Sequence, residues 1–130
     1  MADYRDHYAE IRSAGADVLA VSVDPPIKSE ALRRELGLPF PILCDTEWRV
    51  AKDWGIYNPN ERGGIAKPAV FVIDRDRTVQ YSKIDDVATR VPASEIVRIL
   101  RGAGRHEAQR KVYIPRVNDF FRAIRNMIRS

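Results

Sequence analysis

The amino-acid sequence predicts a three-layer α/β domain, with helices above and below a sheet, and three observations carry that prediction. Residues 68–74 (Pro-Ala-Val-Phe-Val-Ile-Asp) form a β-branched, continuously apolar run followed by the turn-like Arg75-Asp76-Arg77. Such a run lacks polar alternation and fits a strand buried on both faces. Residues 16–24 (Ala-Asp-Val-Leu-Ala-Val-Ser-Val-Asp) have the same character, giving a second buried strand. Between and around these runs the apolar spacing switches to that of helices, and strand–helix alternation points to βαβ units.

In chain order, residues 2–14 read as a helix, with Tyr4, Tyr8 and Ile11 at helical spacing and Gly15 placed as its C-terminal cap. After the strand at 16–24, Asp24-Pro25-Pro26 ends the run, and residues 27–36 make an amphipathic helix closed by Gly37. Ile27, Ala31, Leu32 and Leu36 share its predicted inner face. Residues 40–45 (Phe-Pro-Ile-Leu-Cys-Asp) are a short strand, and Asp45 or Thr46 can cap the helix 47–54 that Gly55 ends. Residues 57–67 carry the loop signals Asn-Pro and Gly-Gly. Pro68 opens the central strand, where a missing N–H costs least. Thr78-Val-Gln-Tyr-Ser82 alternates apolar and polar residues and completes an antiparallel hairpin nearer the sheet edge. Pro92-Ala-Ser94 then opens a helix to about Arg101, which Gly102 and Gly104 break.

Length and composition bound the function. A chain of 130 residues is one domain that can bury a core without disulfides. No apolar run approaches the eighteen or so residues needed to span a bilayer, and the N-terminus has no apolar signal core, so a cytoplasmic location is expected. The single cysteine forms no internal disulfide, and no His/Cys spacing suits a metal, so no cofactor or metal is expected. The net charge of +4 is uneven: residues 103–130 hold seven Arg/Lys against two acids, leaving 15 against 16 in residues 1–102. The basic pI belongs to the tail, so no nucleic-acid partner is expected for the body.

Four blocks, in this order and spacing, carry a resemblance: residues 16–24, residues 38–45 (Leu-Pro-Phe-Pro-Ile-Leu-Cys-Asp), residues 50–56 (Val-Ala-Lys-Asp-Trp-Gly-Ile) and residues 67–74. Together they resemble the redoxin or peroxiredoxin branch of the thioredoxin-like fold, the alkyl hydroperoxide reductase and thiol-specific antioxidant group. The resemblance covers residues 1–102 and implies thiol-dependent reduction of peroxides or disulfides, with a thioredoxin-like protein as thiol reductant. Family members begin with a strand that leads into a cysteine-bearing loop and the first helix, where the thiol pKa is lowered. Here the first residues already match the middle of that helix, so the expected fold is thioredoxin-like and N-terminally truncated, without the peroxidatic cysteine. That strand is interior in the family, so two remaining strands should keep unpaired edges. An N-terminus called too late, a strand from another copy or partner, and a repacked degenerate chain are the three explanations.

The candidate site residues follow. Cys44 is the only thiol. As a catalyst it would need exposure and a nearby cation, whereas at the end of an apolar strand it reads as a small hydrophobe. Pro68 matches the position of the family's cis-proline, and with Lys67 it would line the substrate site. Peroxidases of the family usually place an Arg here, so Lys67 leans the reading toward a thioredoxin-like thiol role. His7 and His106 read as solvated, Asp74, Asp76, Asp85 and Asp86 as turn acids, and Trp48 and Trp54 as packing residues. Gly63-Gly64 lacks the rest of a phosphate loop.

The resemblance stops at residue 102. Within residues 103–130, Val117, Phe120, Phe121, Ile124, Met127 and Ile128 fall on one helical face and Arg116, Arg122, Arg125 and Arg129 spread over the rest. This extra amphipathic helix is expected to pack on the domain or on a second copy as a homo-oligomer. Contact of residues 116–129 with an anionic membrane is the lesser alternative. A non-catalytic binding or assembly module acting through this helix is the functional rival.

Overall fold

The structure, a computed structural model, describes residues 1–61, 63–85 and 90–102. The predicted tail helix at 103–130, with His106, and Asp86 lie outside the described residues. Helices α1 (Ala2–Asp6) and α2 (Tyr8–Ser13) replace the single helix expected over 2–14, because His7 between them relaxes to φ −100° and ψ 7°. The α2 end behaves as the sequence predicts. Gly15 takes φ +83° and its N–H bonds the Arg12 carbonyl, while the Ala16 N–H reaches back to Ile11 at 3.2 Å.

Strand β1 (Ala20–Ser22), helix α3 (Pro26–Glu35) and strand β2 (Ile42–Cys44) form the predicted βαβ unit. The strands are parallel, with Ala20 opposite Ile42, Val21 opposite Leu43 and Ser22 opposite Cys44. The strand is shorter than residues 16–24. The predicted inner face of α3 is also corrected: Ile27 is 81% exposed, Ala31 and Leu32 are exposed too, and Ser29 is buried instead. Polar anchors at its C-terminal end accompany this rotation. Arg33 grips both oxygens of Glu30 and the Leu38 carbonyl, and Arg5 donates to the Leu36 carbonyl at 2.6 Å. These bonds satisfy carbonyls that a helix end leaves free.

Helix α4 (Arg49–Asp53) is capped as predicted by Asp45, whose two oxygens accept from the Arg49 and Ala51 N–H groups at 2.9 Å each. The expected loop at 57–67 contains a small hairpin, β3 (Tyr57–Asn58) against β4 (Ile65–Ala66). Two bridged residues per strand are too few to leave a periodic signal in the sequence. The main hairpin pairs β5 (Ala69–Ile73) with β6 (Val79–Ile84), with an irregularity between Val72 and Ile73. Its turn closes through the Asp74 N–H to Thr78 and the Arg77 N–H to Asp74. Helix α5 (Ala93–Leu100) ends the described chain and packs on α2.

Ile11, Leu38, Phe40, Ala51, Val79, Val91, Ala93, Ile96 and Val97 make the core, contributed by α2, α4, β6 and α5 and by the segments leading into β2 and α5. Every residue of β5 is half-buried, which corrects the expectation of a strand buried on both faces. The cause is topological. The structure holds β1–β2 and β5–β6 as separate pairs, with no ladder between them, so among the described residues β5 has a strand neighbour on one side only.

Candidate functional site

The two open strand edges can be assigned residue by residue. The Ala20 N–H bonds the Pro41 carbonyl and the Ser22 carbonyl accepts from Asp45, so Ala20 and Ser22 face β2. Backbone groups alternate along a strand, which turns the N–H and C=O of Val21 to the opposite, unpaired edge. On β5 the Pro68 carbonyl accepts from the Asp85 N–H at 2.8 Å, placing Pro68, Val70 and Val72 toward β6. The backbone groups of Ala69, Phe71 and Ile73 therefore lie on the free edge of that pair. The sequence expectation of two strands with unpaired edges is met among the described residues.

Lys67 and Pro68 stand at the mouth of this edge. The Lys67 side chain is exposed and its N–H holds the Ile56 carbonyl at 2.8 Å. Among the described residues no peptide bond is cis, so Pro68 is trans, which corrects the expectation drawn from the family position. The trans form is the isomer X–Pro bonds favour by about 0.5–1 kcal/mol when nothing local selects cis. Cys44 is half-buried at the end of β2, opposite Ser22. It belongs to the β1–β2 pair while Lys67 and Pro68 belong to β5–β6, and no ladder joins them.

Two residues differ from their sequence reading. Asp85 is no turn acid: it is 5% exposed, its carboxylate accepts from the Val91 N–H at 3.2 Å and lies 3.6 Å from the Lys83 ammonium. It fastens the end of β6 to the approach to α5. His7 is half-buried, its Nδ1 facing the Asp3 carbonyl at 2.9 Å and the Asp3 carboxylate at 3.1 Å. That hydrogen bond to the Asp3 carbonyl, followed by the nearby carboxylates, raises its pKa above the usual imidazole value against a smaller opposing effect of burial. Trp48 does pack, on Tyr57 at 5.8 Å, but it holds φ +55° and buries an indole N–H with no acceptor among the described residues. Trp54 packs edge-on against Phe71 of β5 at 4.6 Å, as expected of it.

The N-terminal helix is locked to α5 by two long-range bonds that no local pattern announces. Asp3 caps α5 from outside, accepting from the Ala93 N–H at 2.7 Å. The Tyr4 hydroxyl donates to the Val91 carbonyl at 3.1 Å. Burial, then the charges of Asp3, Asp85 and Glu95 with Tyr81, pushes the Tyr4 phenol up to about 12, so it stays a donor at any physiological pH. Among the described residues no group of three or more His, Cys, Asp or Glu could hold a metal ion, and no helix is long and apolar enough to cross a membrane.

Comparison with known proteins follows the same lines. The profile of the AhpC/TSA family matches residues 1–82. A Mycobacterium tuberculosis relative is 32% identical over 91 residues, 67% of this chain and 58% of that protein. The chloroplastic peroxiredoxin Q of Oryza sativa subsp. japonica is 28% identical over 99 residues, 75% of this chain and 45% of its own. Among solved structures, Enterococcus faecalis AhpC superposes with a TM-score of 0.70 at 24% identity, over 83% of this chain and 66% of that one. Peroxidoxin BcpB from Mycobacterium tuberculosis gives 0.69 at 25% identity, over 77% and 66%. The fold is therefore thioredoxin-like, and the chain spans 58% or less of the curated relatives named here.

Proposed function

Because the chain belongs to the AhpC/TSA family, we propose that it is the scaffold of a thiol-dependent redox protein that reduces peroxides or disulfides, with an attacking thiolate other than Cys44. The observation that carries this reading is the pair of open edges. Val21 on one side and Ala69, Phe71 and Ile73 on the other offer N–H and C=O groups to a strand seated between β1 and β5. A thiol carried by the loop after that strand would arrive beside α1, with Pro68 and Lys67 as the wall of the site. Cys44 sits on the far strand of its pair, opposite Ser22 and across β1 from that gap.

In the forward step the thiolate attacks one peroxide oxygen, an S–O bond forms as the O–O bond breaks, and the leaving oxygen takes a proton. The protein sulfur is oxidised to a sulfenic acid and the peroxide is reduced. One thiol of a thioredoxin-like dithiol condenses with the sulfenic acid, releasing water, and its second thiol resolves the mixed disulfide by thiol–disulfide exchange, which returns the protein thiol. A cytoplasmic setting, where glutathione and thioredoxin keep thiols reduced, suits this cycle. Homo-oligomerisation and a role for residues 103–130 belong to the same proposal.

Peroxide consumption with a dithiol reductant, measured on the natural protein and on Cys44→Ser, tests it. Turnover that survives Cys44→Ser is the expected result. Turnover lost with Cys44 would make that residue the nucleophile. No turnover on peroxide or disulfide in either form would replace the redox reading with the non-catalytic module acting through residues 103–130.

A further inference from the structure

A second feature of the fold lies away from the strand edges, where α2 meets α5. Their facing surfaces leave a solvent-open cleft of about 290 Å³ lined by His7, Glu10, Ser94, Val97, Arg98 and Arg101. That is the small end of the range for ligand pockets, ~300–1,000 Å³. Its floor is apolar, since Val97 is 4% exposed, and its rim is polar. Arg101 is partly engaged by Glu10 at 3.9 Å, whereas Arg98 has no ion-pair partner among the described residues. Arg98 on α5 and Arg101, the residue at its C-terminal cap, both line the cleft, and guanidinium N–H donors recognise planar and tetrahedral oxyanions. Ser94 adds a hydroxyl on the same helix face.

We propose that this cleft binds a small oxyanion, inorganic phosphate or the phosphoryl group of a small metabolite, held by Arg98, Arg101 and Ser94 with His7 as a fourth, protonation-dependent donor. The role of His7 follows from its partners. Nδ1 is committed to Asp3, which itself caps α5, so the ring is fixed and Nε2 is the nitrogen left to meet a ligand. Asp3, Asp6 and Glu10 face the ring from its own helices, and Ser94, Arg98 and Arg101 face the cleft from α5. The three carboxylates already favour the imidazolium, and an anion in the cleft favours it further. Binding therefore takes up a proton and weakens as pH rises through the His7 pKa.

The test is titration of the 130-residue chain with inorganic phosphate at about pH 6 and about pH 8, near the limits of histidine titration, with chloride holding ionic strength constant, followed by amide and His7 ring resonances. Saturable shifts at Ser94, Arg98, Arg101 and His7, with affinity several-fold weaker at the higher pH, are expected. Arg98→Gln should weaken binding by about tenfold, the cost of one charge-assisted hydrogen bond at an exposed site. His7→Gln should weaken binding more at about pH 6 than at about pH 8, while Arg34→Gln on α3 should change binding at neither pH. Glycerol 3-phosphate run in parallel separates the sources: tighter binding assigns a phosphorylated metabolite, equal binding free phosphate. Shifts no larger than chloride produces, or an Arg98→Gln variant that binds as the parent does, would overturn the proposal.

Discussion

The two strand pairs differ in what holds them together. The β5–β6 hairpin is built from neighbours: five bridged residue pairs and a turn closed by Asp74, Asp76 and Thr78 within the same short segment. The β1–β2 pair has three bridged pairs, and its strands meet only after the chain has passed through α3. Its register depends on residues outside the ladder: Leu38 and Phe40, each 2% exposed, and Asp45, which both accepts from α4 and donates its own N–H to Ser22 at 2.7 Å. A hairpin closes a short loop, whereas a parallel pair must offset a longer one before it gains any bond. The parallel half should therefore be the one that long-range packing controls.

The strongest way to break this contrast is to remove that packing. Phe40→Ala, which deletes a buried ring tilted against Tyr8 at 5.8 Å, should cost about 3–5 kcal/mol in denaturant unfolding. Val79→Ala, its buried counterpart in the hairpin, should cost less, about 1.5–3 kcal/mol. Equal losses would contradict the contrast. Next in size is Asp45→Ala, which frees two α4 N–H groups and should cost about 1–2 kcal/mol, read as a lower urea midpoint at unchanged slope.

A smaller effect has the opposite sign. Ser29 is 3% exposed and its hydroxyl has no partner, so Ser29→Ala should raise stability by about 1 kcal/mol and tighten α3 on β2. The smallest is a pH effect on α3. Hydrogen bonds from Arg33 and then Arg34 lower the Glu30 pKa from its usual 4.5 to about 2. A folded value below the unfolded one means that its contribution is present above pH 4.5 and is lost as pH falls toward about 2. The Glu30 carboxylate is open to solvent, its side chain 43% exposed, so Glu30→Gln should only flatten the acid limb of the stability profile slightly. His7 works the other way. Its raised pKa supports the fold below about 6.5 and that support fades as pH rises through the folded value.

The same contrast explains what could be read in advance. The hairpin, the Asp45 cap, the α2 end at Gly15 and helix α5 are local, and the chemistry of Asp, Gly and Pro at turns and caps announced each of them. The βαβ order followed from two apolar runs. What escaped was set by distant partners. The rotation of α3 that exposes Ile27 is accompanied by Arg5 and Arg33 gripping its C-terminal end. The burial of Asp85 needs the Val91 N–H six residues on, and the α5 cap comes from Asp3 at the other end of the domain. Pro68 was placed correctly at the head of β5 but not in its isomer, because a family position is not a local energy. Of the candidate site, the place of Lys67 and Pro68 at the head of β5 was legible and their role stays with the proposal, while the open edges were legible only through the resemblance.

Amide hydrogen exchange on the 130-residue chain tests the central claim most directly, because the proposed site depends on those edges being free to take a strand. The account predicts an alternating pattern: fast exchange at Val21, Ala69, Phe71 and Ile73, and slow exchange at Ala20, Ser22, Val70 and Val72, whose N–H groups lie in ladders. Protection of Val21 and Phe71 equal to that of their neighbours would contradict it, since the edges would then be occupied within this chain or its oligomer.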